Sequence, residues 1–134
     1  MSLLNASLAV LLVTTSPGAA GPTTVTLKPL GASHERGTAT IDRQGGKLIV
    51  VVRVTGLPAD APPQLVHMHR DACAAPSSTR AVHLRPLVRG VSRSVVGAPG
   101  TPGGIAAGTY YVSVHKVLAE TSSHVACGGP VRIR

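Results

Sequence analysis

Residues 48–54, Leu-Ile-Val-Val-Val-Arg-Val, put Leu48, Val50, Val52 and Val54 on one side of an extended chain and Ile49, Val51 and Arg53 on the other. A β-branched run of period two, entered through Gln44-Gly45-Gly46-Lys47 and left through Gly56-Leu57-Pro58, is a strand held between turns. The same pattern recurs at residues 23–30, 37–42, 65–69, 109–114 and 125–133, and more weakly over 81–88 and 91–96. No window carries a 3.6-residue apolar period, so helix is not expected. Tyr110 and Tyr111 are the only aromatic residues, which leaves the core to aliphatic side chains. Seven or eight short antiparallel strands in 134 residues predict one all-β domain, a Greek-key sandwich or flattened barrel.

Ahead of that domain, Leu8 to Val13 is an apolar run too short to span a bilayer, and Gly18 and Ala20 are placed as in a small-x-small cleavage site. Residues 1–20 are therefore read as a signal peptide and 21–134 as the exported domain, in a secreted, periplasmic or cell-envelope location. No Lys or Arg precedes the apolar run. The formal charge of +8 arises wholly beyond residue 20. Its arginines are scattered through strand-like segments without interleaved aromatic platforms, which argues against nucleic acid. The remaining readings are a generally solvated basic surface, attraction to an acidic envelope, or attraction of a small anion.

Six histidines lie in this small domain: His34, His67, His69, His83, His115 and His124. On a strand, His67 and His69 project from the same face and can chelate a borderline metal such as copper or zinc, while Met68 turns into the core. His115 ends a strand on which Val112 and Val114 share one face and Tyr111, Ser113 and His115 the other, so a third imidazole is presented away from the valines. His83 is a candidate fourth ligand. His34, in the polar turn Ser33-His34-Glu35-Arg36, reads as solvated. Cys73 and Cys127 are the only cysteines; in an exported chain such a pair is a disulfide, and the rival reading is a pair of soft metal ligands.

The order His67-Met68-His69, Cys73, Val112-Ser113-Val114-His115 and Ala126-Cys127-Gly128 resembles the Cu/Zn superoxide dismutase family, as do Gly37-Thr38-Ala39 and Val54-Thr55-Gly56-Leu57. Gly108-Thr109-Tyr110-Tyr111-Val112 is also similar to chordin-type (CHRD) modules. The resemblance implies a copper site on His67, His69 and His115, with Cys73 and Cys127 as the family's disulfide. His83 would be the bridging histidine, a ligand that leaves and takes a proton. The chain departs from the family by lacking a zinc-binding subloop and a long loop between His115 and Cys127, so zinc is not expected. His124 stands where the family has its substrate-guiding arginine, and His124 or Arg70 would have to guide superoxide. The activity implied is copper-dependent dismutation of superoxide; the alternatives are a non-catalytic copper carrier and a structural CHRD-type module.

Overall fold

The computed structural model describes residues 9–12, 21–73, 82–119 and 121–134. The leader expected over residues 1–20 therefore lies largely outside the described residues. No helix among them is long and apolar enough to cross a membrane.

The chain is all-β, as its patterning predicts. The described residues hold eight antiparallel strands, in order β1 (Thr23–Pro29), β2 (Arg36–Gln44), β3 (Lys47–Thr55), β4 (Val66–His69), β5 (Val82–His83), β6 (Val91–Gly97), β7 (Gly108–His115) and β8 (His124–Ile133). Their spatial order is β5-β4-β7-β8-β1-β2-β3-β6. β3 lies beside β6 and β4 beside β7, neighbours in space but not in sequence, which is the crossover pattern of a Greek key. β1 is the corner of this curled sheet. Residues 23–27 pair with β2, and Lys28 and Pro29 pair with β8. At that corner Gly128 runs so close to β1 that a Cβ would strike the Thr26 carbonyl oxygen.

The core fills the concave side. From β1–β3 come Leu27, Ala39, Ile41, Leu48, Val50, Val52 and Val54, all buried as the alternation of residues 48–54 requires. From β4, β7 and β8 come Val66, Met68, Val112, Val114, Ala126 and Val131. Gln44 pairs with Lys47 across Gly45-Gly46, and Gly45 takes φ 61°, a left-handed conformation that glycine adopts without steric cost.

The segment that follows β5 is tied to β6 across the open side by two serine side chains. Arg85 N donates to Ser94 Oγ at 2.8 Å, and Ser92 Oγ donates to the Arg85 carbonyl at 2.7 Å. Among the described residues the segment 81–88 contributes Val82–His83 as a strand, followed by isolated bridges from Leu87 to Gln64 and from Val88 to Val91.

Candidate metal centre

All four residues of β4 are buried, so this strand is covered on both faces. Val66 and Met68 turn into the core, as expected for Met68, and His67 and His69 therefore face the opposite side of the sheet. Register sets their neighbours. His67 lies opposite Ser113 of β7 and His83 of β5, and His69 lies opposite Tyr111. Ser113 in turn lies opposite Cys127 of β8. The Cys73–Cys127 disulfide, with Cα atoms 5.7 Å apart, brings the chain leaving β4 back onto this same face. A disulfide is compatible with an extracellular location.

A bulge between Val114 and His115 adjusts the end of β7, and His115 pairs with His124 at the start of β8. Three imidazoles from three strands then converge. One nitrogen from each of His67, His115 and His124 lies within 4.8 Å of the others. Ring centroids are 4.8 Å apart for His67 and His115, 5.7 Å for His67 and His124, and 4.1 Å for His115 and His124. Two nitrogens on one ion at 2.0–2.1 Å are separated by at most about 4.2 Å. Three donors spread evenly about the ion would lie about 3.6 Å apart, so drawing the trio onto an ion needs a closure of up to about 1.2 Å between nitrogens, shared among three ring rotations.

The nitrogens are poised for this. His115 Nδ1–H donates to the Ser122 carbonyl at 3.0 Å, which leaves the lone pair on Nε2. His67 is 1% exposed, and neither ring nitrogen has a hydrogen-bond partner among the described residues. His124 is half-buried, and its Nδ1 likewise has none. A neutral imidazole carries one donor and one acceptor, and burying either unpaired costs roughly 1–3 kcal/mol. A metal ion would engage the nitrogens that His67 and His124 leave without a hydrogen bond among the described residues.

Electrostatics point the same way. Burial, reinforced by His115, His69, His124 and His83, pushes the His67 pKa down to about 3. Burial, then His115 and His69, pushes His124 down to about 4. Burial also lowers His69, against an opposing pull from Asp71. Protons therefore do not compete with a metal for His67 or His124 near neutral pH.

The grouping differs from the set read in the sequence. His67 and His115 are together as expected, but the third member is His124, assigned there to substrate guidance. His69 lies beside the trio, its centroid 5.4 Å from that of His67. Its Nε2 is 2.6 Å from Ser113 Oγ, whose hydroxyl donates to Cys127 Sγ at 3.3 Å, and its ring stacks on Tyr111. His83 is exposed, directly across from His67 and on the same face of the sheet, but outside the trio. Arg70 is committed elsewhere: its guanidinium lies 4.9 Å from the Tyr110 ring centroid and donates to Tyr110 Oη. The cysteines are bonded to each other and serve no metal. The signal that could have placed His124 in the site was its pairing with His115, which depends on a bulge that sequence patterning does not show.

Searches against protein-family models, curated proteins and solved structures find no match to this chain.

A pH dependence follows from the buried neutral imidazoles. Between pH 6.5 and about 3 the unfolded chain binds protons that folded His67 and His124 refuse. Stability of the metal-free domain is therefore full above pH 6.5 and is lost as pH falls through that window. Glu35, whose carboxyl is raised by burial, acts in the opposite sense, so the histidine contribution must be isolated. Urea midpoints at pH 7.5, 5.5 and 4.5 should fall steadily in the wild type and less steeply in His67→Leu. Equal slopes in the two proteins would show that His67 is not held neutral by the fold.

Proposed function

We propose that this domain is an exported copper-binding protein of the Cu/Zn superoxide dismutase-like type, holding one copper ion on His67, His115 and His124. The observation that carries the reading is His67, buried between two other imidazoles with both ring nitrogens lacking a hydrogen-bond partner among the described residues. Three neutral nitrogen donors without a carboxylate suit copper or zinc, and the general order of divalent affinities favours copper. The motif order of the sequence supports the same metal. His69 and His83 flank the trio and are the candidates for completing or exchanging a ligand position.

The test is a copper titration of metal-free protein with bound metal counted on the same sample, in competition with zinc. One copper per chain is expected, with zinc displaced. His67→Ala, His115→Ala and His124→Ala should each weaken binding by at least a hundredfold. Full affinity in His124→Ala would overturn the three-histidine set, and substoichiometric copper would overturn the function.

Dismutation of superoxide is the second reading, favoured by the half-buried position of His124 on the wall of an open cleft and by the net charge of +8. Bound copper would supply a one-electron couple, and the basic surface would draw the anion inward. Superoxide decay followed by stopped flow should then accelerate with copper-loaded protein and slow as salt is raised. Stoichiometric copper without accelerated decay would leave the carrier reading.

A further inference from the structure

Beside the histidine trio lies a cleft of about 610 Å³, bordered by the turn after β1, the loop between β3 and β4, and the segment joining β7 to β8. Its volume is that of a small-molecule site. The walls are largely apolar, from Leu30, Pro58, Ala61, Pro62, Val117 and Val125. Glu35 and Gln64 also line it, and they are 4% and 1% exposed.

The polarity of this pair is one-sided. Gln64 Nε2 donates to both carboxylate oxygens of Glu35, at 2.8 and 3.0 Å. Gln64 Oε1 has no donor among the described residues, although it is fully buried. Among those residues no cation offsets the Glu35 charge, and burial raises its carboxyl pKa. A buried carboxylate and a buried amide oxygen are left side by side with acceptor capacity and no further donor. Such an arrangement costs free energy unless a donor, and best a charged one, arrives. The chain has five carboxylates against thirteen Lys and Arg, yet Glu35 and Asp60 both line this one cleft. The other charged or titratable groups on its walls are Lys116, His34 and His124.

We propose that this cleft binds a small organic cation, an alkyl guanidinium or ammonium, whose head group donates to Glu35 and Gln64 Oε1 while its stem lies on the apolar walls. The head group supplies the missing donors and neutralises the buried carboxylate. Asp60 adds a second negative charge, whereas Lys116, an exposed side chain, competes with the ligand for the same region. The site uses none of the metal trio as an anchor, so it stands or falls independently of copper.

The experiment is an NMR titration of the metal-free full chain with n-butylguanidinium, a probe that does not ligate metals, with n-butanol and butyrate as neutral and anionic controls of similar stem. The expected result is a saturable millimolar shift of the Gln64 side-chain amide with the guanidinium, and binding at least tenfold weaker for both controls. Glu35→Gln, close to isosteric, should lose at least tenfold, and Lys116→Met should not weaken binding. Equal binding of n-butanol would reduce the site to an apolar groove and overturn the proposal. So would the absence of a saturable shift, or unchanged affinity in Glu35→Gln. Should that variant not fold, the comparison of the three probes on the wild type decides by itself.

Discussion

His67→Leu is expected to give a metal-free domain at least as stable as the wild type and to abolish stabilisation by metal. The two halves of this prediction come from one geometry. His67 is as buried as its core neighbours Val66 and Met68, but it carries two polar nitrogens with no hydrogen-bond partner among the described residues. Leucine has a similar volume and no polar group, so the substitution removes an unfavourable desolvation without opening a large cavity. A gain of about 1–2 kcal/mol is expected, or several degrees in Tm. With metal the order reverses. An ion bound only by the native state at a thousand times its Kd adds about 4 kcal/mol to the wild type and nothing to the variant. Thermal unfolding of both proteins, with and without copper, measures all four values. If metal-free His67→Leu instead loses several kcal/mol, the imidazole is a structural residue and the trio is a packing arrangement.

The fold was legible where side chains obey a simple alternation. Residues 48–54 announced β3, its facing and its turns, because every second residue is a branched aliphatic, and the tyrosine that does enter the core, Tyr110, comes from β7. β6 shows where alternation misleads. Val91 and Val95 are 40% and 53% exposed, while Ser92 and Ser94 are buried. The serines face inward because they satisfy the backbone of Arg85 across the open edge, a contact between segments that no local pattern encodes. The site was legible in the same measure. His67 and His69 shared a face as their spacing required, and His115 stood opposite the valines. The nearness of His124 to His67 and His115 was not legible, because it depends on the bulge that sets His115 beside His124, while the Ser113 hydroxyl lies against His69.

Replacing both Cys73 and Cys127 with alanine should lower the stability of the metal-free domain by about 4 kcal/mol, the chain-entropy value for a bridge closing a loop of this length. The bonded residues are 54 apart in sequence, so the bridge removes a large share of the unfolded chain's freedom. The domain has no aromatic cluster to compensate, and a loss of this size should reduce Tm by roughly 15 °C or more. The bridge also acts locally. Cys127 lies opposite Ser113, whose hydroxyl contacts both its sulfur and His69 Nε2, so the covalent tie holds the strand face on which the imidazoles sit. Loss of the tie should admit water to that face, weaken copper binding and flatten the acid dependence, because His67 regains hydration and its pKa climbs back towards 6.5. Urea unfolding at pH 7.5 and 4.5, on the wild type and the double variant, reads both effects. A uniform loss of stability with an unchanged pH slope would confine the disulfide to the unfolded state. A loss confined to acid-sensitive stability would make it chiefly a cover for the histidines.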